Sequence, residues 1–597
     1  MNTQLKNIAA TLALSLFSLT FAFSQTPEEG FGYLNSERPE KAKEVFTKLA
    51  ESSPSADNYY NLGYYYVRTN QLDEAQKAFE KGLAVDDKSY LNQVGLATVA
   101  LGKGDVAKAK EMIEYAEKKT RGKDANVLFR AGEAYTLFDK NSDPAEAIRL
   151  LDEAVKRDNK LADAYIVKGD VLSKRNEGGP AVTAYEYALM AKPNYALANN
   201  RIGQIYLRGK NYNQALDFYK KAIEADPEFA PAYKDLAELY FLAQQYKRAA
   251  ENFDLYIQKS GNNDPETVLR AAQFAFTADE YARSLELLES IKGKIDNPIT
   301  KRMYGWAYYK TNNMEESIKN LEEFIKVYPQ GKDEDGNPRK LVPDDYKYLG
   351  RAYNKMATDK EYTPQGMEYL MKGAEMDTSA AEAATTYKEI AAAYYKDKDY
   401  LKAAKAYEKG IGLDTAKAST NDYFQQGLAY FQGAQLITVP DSAGVPLDSA
   451  AKAKMPAEYA SLDSAGLAMT KKGIYLQADS TFAKGIAKLP DWPYNYYWRG
   501  SSLYNAYDRQ ENIDKGISAP YYEKFAELAE KDPSGNYKAY LKQVYSYLAY
   551  YYQTSVKDEA KAKSYWQKLL VVDPENKTAK DALGMSEPAA ITPKTGK

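Results

Sequence analysis

Cysteine and histidine are both absent from the 597 residues, and those gaps exclude a great deal of chemistry. Histidine is the usual general base near neutral pH and, with cysteine, the usual ligand of zinc and haem. Without them Cys–His and Ser–His catalysis and structural zinc are removed, leaving an enzyme only carboxylate, Lys, Ser or Tyr chemistry. A surplus of one charge is lacking too: 80 basic side chains stand against 83 acidic ones, a net of −3. Nucleic-acid and anionic-membrane binders depend on excess Lys and Arg, so neither class of partner is expected. The chain shows no Gly-rich phosphate loop, no nucleophile elbow and no cluster with metal-ligand spacing. No catalytic residue, cofactor or metal site is assigned, and the expectation is that the protein is not an enzyme.

Long apolar runs are also missing, apart from one at the start. Lys6 precedes an apolar stretch from Ile8 to Phe23, and Ala22-Phe23-Ser24 places small residues at −3 and −1 before Gln25. This is the grammar of a secretory signal cut after Ser24; a bilayer span needs about 20 apolar residues. Residues 1–24 are therefore expected to direct export and to be removed. The product is then periplasmic, soluble or peripherally associated with the outer membrane, without a membrane span. The lack of cysteine rules out lipid attachment at a mature N-terminal Cys.

A spacing stands out among what is present. Gly169, Gly203 and Ala237 lie 34 residues apart. Twelve residues after them come Ala181, Ala215 and Ala249, and sixteen after them Tyr185, Tyr219 and Phe253. Pro193 and Pro227 close two of the units. A small residue lets two helices approach; Ile202 and Tyr206, four apart, share the face beside Gly203. Gly209-Lys210-Asn211 reads as a turn. Ala215, Tyr219 and Ala222 line the inner face of a second helix, which Asp226-Pro227 stops. Copies recur at Gly30 with Phe46, Gly63 with Phe79, Gly132 with Leu151, Gly305 with Leu321, Gly350 with Tyr353, and Ala391 with Tyr407. The C-terminal pair are centred on Gly500 with Phe525 and on Ala549 with Trp566. These residues resemble the tetratricopeptide repeat (TPR) family. The resemblance implies an all-α solenoid of about fourteen helix-turn-helix repeats forming a right-handed superhelix. It also implies a role in holding other proteins.

Two interruptions mark the organisation. Residues 330–343 form a charged Pro/Gly loop. Asp333, Asp335, Asn337 and Asp344 fall at calcium-loop positions, but Pro338 stands where glycine is required, so a solvated turn is expected. Residues 433–470 are a Ser/Asp/Ala-rich insertion inside one repeat, between Gly427 and Phe482. The segments are then 25–329 (N-terminal array), 344–432 (central repeats), 471–585 (C-terminal repeats) and 586–597 (flexible tail). The insertion carries Asp441-Ser442, Asp448-Ser449 and Asp463-Ser464, each followed by Ala. With Asp414-Thr415 and Asp479-Ser480 they resemble an O-glycosylation acceptor pattern of exported bacterial proteins, giving Ser442, Ser449 and Ser464 as candidates. Helix capping by Asp and Ser is the alternative.

In the TPR family the first helix of each hairpin lines the concave face through positions −3, +1 and +4 from the small residue. The resemblance places Arg302, Trp306 and Tyr309, then Lys347, Arg351 and Asn354, then Lys388 and Tyr395 on that face. This basic and aromatic stretch suits an acidic or C-terminal carboxylate segment. It departs from the chaperone-binding carboxylate clamp, because Arg351 and Ala392 stand where Asn is expected. The aromatic run from Trp492 to Trp498, with Phe424 and Phe431, suits peptide or glycan stacking, or forms core. An N-terminal groove with Tyr60, Tyr64, Val67 and Phe129 is read as apolar. The function expected is an exported scaffold for envelope proteins or their peptide segments, within an outer-membrane-associated assembly. Glycan or peptidoglycan binding through the C-terminal aromatics is the alternative.

Overall fold

The computed structural model describes residues 25–333, 335–440, 449 and 455–585. The expected signal segment 1–24, Ser442 and the tail 586–597 lie outside the described residues.

The chain divides into two compact units, Met1–Asn297 and Pro298–Lys597. The division falls within the segment 25–329 expected as one array. Residues 291–298 between the flanking helices contain Gly293 with φ +73° and end in Pro298, so no helix bridges the units.

The first unit contains eight hairpins. They are α1 (Pro27–Asn35) with α2 (Pro39–Ser52), α3 (Ala56–Arg68) with α4 (Leu72–Val85), and α5 (Tyr90–Lys103) with α6 (Val106–Lys119). Then come α7 (Ala125–Ala134) with α8 (Pro144–Arg157), α9 (Ala162–Lys174) with α10 (Gly178–Ala191), and α11 (Ala196–Arg208) with α12 (Tyr212–Ala225). The last two are α13 (Ala230–Leu242) with α14 (Tyr246–Ser260), and α15 (Pro265–Thr277) with α16 (Tyr281–Ser290).

The second unit contains six hairpins. The first three are α17 (Ile299–Lys310) with α18 (Met314–Val327), α19 (Pro343–Lys355) with α20 (Pro364–Met376), and α21 (Ala380–Lys396) with α22 (Tyr400–Leu413). Next, α23 (Thr420–Gln435) pairs across the insertion with the long α24 (Ser464–Lys488). The fifth comprises α25 (Pro493–Ala506), a short α26 (Arg509–Asp514) and α27 (Ala519–Glu530); the sixth pairs α28 (Lys538–Tyr551) with α29 (Glu559–Val572). A final α30 spans Lys577–Ala582. The fold is an all-α repeat solenoid.

One contact repeats and sets the hairpin. A Cβ added at Gly203 would lie 2.6 Å from the Tyr219 ring, and one at Gly63 2.5 Å from Phe79. Gly305 meets Leu321 at 2.4 Å in the same way. Across the insertion the partner of Gly427 is Phe482 at 2.7 Å, and across α26 the partner of Gly500 is Tyr522 at 2.7 Å. The pair is conserved in geometry although its sequence separation grows, so both additions sit between the two helices of a hairpin. The inter-helix turn also recurs: Asn176, Lys210 and Gln244 hold φ of +58° to +61°. Asparagine tolerates this left-handed region better than lysine or glutamine. Behind these turns Ala215, Tyr219 and Ala222 are fully buried. Among the described residues, no helix is long and apolar enough to cross a membrane.

Candidate functional site

The first helices of the second unit carry the cations expected on a concave face, but the structure pairs each with a carboxylate. Arg302, Arg351 and Lys388 meet one of the following repeat, and Lys347 meets Asp377 at the end of α20 in its own hairpin. Arg302 on α17 donates through Nε and Nη2 to both oxygens of Asp345 on α19, at 2.8 and 2.9 Å. Asp345 is fully buried, and Arg302 also lies 4.6 Å from the Phe324 ring centre. Burial pushes the Asp345 carboxyl up, against the opposing pull of Arg302. Lys347 is buried and reaches Asp377 at 2.5 Å. Arg351 on α19 grips Glu389 on α21, its closest contact 2.7 Å. Burial disfavours that guanidinium charge, yet the Glu389 hydrogen bonds and charge outweigh it and raise Arg351. Lys388 on α21 meets Asp422 on α23 at 2.9 Å. Burial raises the Asp422 carboxyl, but Lys388 and the Ser419 hydrogen bonds more than offset it and hold Asp422 below its usual range.

This corrects the expectation of a free basic stretch. Repeat position alone places the cations along single helices and says nothing of the acids that face them, three of which come from the next repeat. A register explains two of the pairs: Arg302 and Lys388 stand at −3 from Gly305 and Ala391, while Asp345 and Asp422 stand at −5 from Gly350 and Gly427. That register was the signal available in the sequence.

The aromatic candidates are engaged as well. Trp306 stacks on Tyr348 with ring centres 5.4 Å apart, and Tyr309 meets the same ring edge-on at 5.2 Å. Tyr395 packs edge-on against Tyr400 at 5.1 Å. Asn354 is turned toward its own hairpin, its Oδ1 accepting from the Thr363 amide at 3.0 Å.

A recess of about 490 Å³ remains between α17, α19 and α21, lined by Tyr309, Arg351, Lys355, Lys360, Glu361 and Glu389 among others. It unites three of the expected residues, Tyr309, Arg351 and Asn354, and leaves Arg302, Trp306, Lys347, Lys388 and Tyr395 outside. Lys355 and Lys360, which reading by repeat position passed over, are exposed at its edge. Lys355 Nζ lies 4.5 Å from the Tyr309 ring centre, and Lys360 Nζ 5.4 Å from that of Tyr362. Neither has a carboxylate partner within ion-pair distance among the described residues.

The C-terminal aromatics largely face one another. Trp498 meets Phe431 at 4.9 Å, Tyr497 meets Tyr540 at 4.6 Å, and Trp492 meets Phe424 at 4.7 Å. Tyr497 is buried, while Trp492, Tyr494 and Tyr496 stay half-buried.

In the first unit Tyr60, Tyr64, Val67 and Phe129 are largely buried, and Tyr64 and Phe129 border a recess of about 340 Å³ on the concave side. Its wall is not simply apolar, because it also carries charges of both signs, including Arg68, Asp163, Arg201 and Asp235. Glu37, in the turn between α1 and α2, accepts from the Tyr256 hydroxyl at 2.7 Å and from Lys234 at 3.3 Å. Arg38 beside it approaches Glu228 at 3.5 Å. The first hairpin is thus fastened to the seventh.

The remaining motifs are placed as follows. Ser464 is the first residue of α24, and Asp463 caps that helix by accepting from the Gly466 amide at 2.7 Å. Asp479 lies inside α24 and accepts from Arg499 at 2.7 Å. Thr415 donates to the Ile411 carbonyl at 3.2 Å. Ser449 is exposed. Asp333 Oδ1 accepts from the amides of Asp335 and Asn337 at 3.1 and 2.7 Å, as a turn-forming aspartate does. No group of three or more ligating side chains occurs among the described residues.

Tetratricopeptide-repeat family models match residues 56–89, 196–229, 218–251 and 303–331. With the recurrent hairpin geometry, these matches make the chain a member of the tetratricopeptide repeat family. Among solved structures it is similar to the C-terminal part of a TPR repeat-containing protein from Cytophaga hutchinsonii. That likeness has 22% identity over 53% of this chain and 99% of that one, with a TM-score of 0.32. It is also similar to a tetratricopeptide repeat protein from Parabacteroides merdae (17% identity, 44% and 98% of the two chains, TM-score 0.30). A third likeness is to PilW, a type IV pilus biogenesis factor (22% identity, 34% and 90% of the two chains, TM-score 0.30). No curated protein matches the chain.

Proposed function

We propose that the protein is a non-enzymatic scaffold, exported to the periplasm, that holds acidic segments of envelope proteins in the recess of its second unit. Membership of the repeat family supports protein–protein interaction as the general role. One observation carries the specific reading: Lys355 and Lys360 remain without acidic partners beside a Tyr309 wall, although the neighbouring Arg302, Lys347, Arg351 and Lys388 are all neutralised. An incoming carboxylate gains charge-assisted hydrogen bonds from the lysines and desolvated contact from the ring. The apolar segment before Gln25 supports export, and an outer-membrane-associated assembly is the setting that best suits such a scaffold.

Charge reversal tests this. Lys355→Glu with Lys360→Glu removes both lysine charges and leaves the Arg302–Asp345 and Arg351–Glu389 pairs intact. Co-purification from cells is expected to lose its envelope partners while far-UV circular dichroism is unchanged. Retention of the same partners in the same yield would show that the recess is not the docking site.

A further inference from the structure

The concave recess of the first unit carries charge that its own repeats do not cancel. Arg130 is matched by Glu133 at 2.6 Å, Arg201 by Asp170 at 3.0 Å, Lys234 by Glu37 at 3.3 Å, and Lys174 by Asp139 at 3.1 Å. Three wall residues are left over. Asp163 accepts from the Tyr195 hydroxyl at 2.5 Å, and Asp235 from the side-chain amides of Asn200 and Gln204, both at 2.7 Å. Those donors are neutral. Arg68 donates to the Tyr64 hydroxyl at 2.9 Å and has no carboxylate within ion-pair distance among the described residues.

Two anions and one cation thus face a recess whose remaining wall includes the apolar side chains of Ile166, Val167 and Leu197. Asp163 and Asp235 are half-buried and Arg68 is exposed at the rim; a partly desolvated carboxylate gains most from an incoming cation. Burial pushes the Asp235 carboxyl up against the opposing pull of its two amide partners and of the nearby Arg201 and Lys234 charges. The complement is a ligand with two positive groups and one negative group. Its size is bounded twice. The volume, about 340 Å³, lies at the lower end of small-ligand sites. The Glu37–Lys234 tie forms part of the recess wall and narrows it, which suits a short ligand.

We infer that this recess binds a short peptide of two or three residues with both termini free and one basic side chain. Its ammonium and basic side chain face the Asp163 and Asp235 carboxylates, and its carboxylate faces Arg68. This site lies in the first unit and does not depend on partner docking in the second.

Isothermal titration of the purified protein with Ala-Lys-Ala tests the inference. Saturable one-to-one binding is expected, at least tenfold weaker for the N-acetylated, C-amidated form and for Ala-Glu-Ala. Asp235→Asn and Arg68→Gln should each weaken binding about tenfold. Val167→Trp, which fills the recess and leaves its charges in place, should abolish it. Circular dichroism and melting of each variant keep loss of binding apart from loss of fold. Absence of saturable binding at millimolar Ala-Lys-Ala would overturn the inference. So would equal affinity for the capped peptide, or binding unchanged in well-folded Asp235→Asn.

Discussion

Glu37 and Tyr256 are separated by 219 residues, and the Tyr256 hydroxyl donates to the Glu37 carboxylate at 2.7 Å. A repeat solenoid is stabilised by contacts between adjacent repeats, and this bond is of a different kind. With Lys234–Glu37 and Arg38–Glu228 it fastens the first hairpin to the seventh. Glu37→Ala should therefore act far from its own repeat. Hydrogen exchange is expected to quicken in α1 and α2 and also in the α13–α14 hairpin, with α5 to α8 unaffected. The stability lost should be about 1–2 kcal/mol, as for one charge-assisted hydrogen bond. Faster exchange confined to α1 and α2 would show that the tie contributes nothing to the seventh hairpin.

The small-residue contact makes opposite predictions at Gly203, which faces the partner helix, and at Gly32, two positions beyond the equivalent Gly30. At Gly203 a Cβ meets the Tyr219 ring at 2.6 Å, so Gly203→Leu should cost about 1–3 kcal/mol through overpacking. Gly32 on α1 has nothing within 4 Å of that position. Gly32→Ala should stabilise by up to about 1 kcal/mol, the helix-propensity difference. Urea unfolding followed by circular dichroism measures both, and a destabilising Gly32→Ala would contradict the packing described.

The insertion is more than an appendage. Ile437 is fully buried and Met455 nearly so, both in the cluster that holds Leu401, Tyr430 and Phe482. Removing 433–466 takes these two core side chains with it, so the segment contributes to the packing of its repeat. Ile437→Ala and Met455→Ala should each cost about 2–5 kcal/mol, the usual range for emptying a core position. A thermal melt of each variant checks this; unchanged midpoints would return the segment to a purely peripheral role.

The pH dependence follows from the composition. With no histidine and no cysteine, no side chain with an ordinary pKa titrates between about pH 6 and 8. Tyrosines dominate at the alkaline end. Burial pushes Tyr135, Tyr430, Tyr475 and Tyr565 each up to about 12, against about 10 in an unfolded chain. A group whose folded pKa is raised binds its proton more tightly when folded. Its contribution is complete below about pH 10 and is lost as pH climbs from there to about 12. The melting temperature should be nearly flat from pH 6 to 8 and fall steeply above pH 10. A marked fall between pH 7 and 8 would contradict this.

Much of the architecture was legible because TPR geometry depends on residue size at fixed positions. The pairing of Gly203 with Tyr219, sixteen residues on, reads directly from the chain. The equivalence of Gly427 and Phe482 could be recognised across the insertion for the same reason. Contacts between repeats were less legible. Arg302 looks like a free groove cation until Asp345, one repeat later and fully buried, is placed opposite it. The Glu37–Tyr256 contact has no local pattern at all, since it depends on how seven hairpins curve. Lys355 and Lys360 fall outside the three family groove positions, so the site emerged only when the remaining cations had been paired off.

The central claim is that the second unit's recess holds the partner. The most direct measurement is in-cell photo-crosslinking from a probe placed at Lys360, compared with one at the exposed Tyr187 of the first unit. A discrete envelope protein captured at position 360, absent at 187 and displaced by Lys355→Glu, is the predicted result. Equal capture of the same proteins from both positions would contradict it.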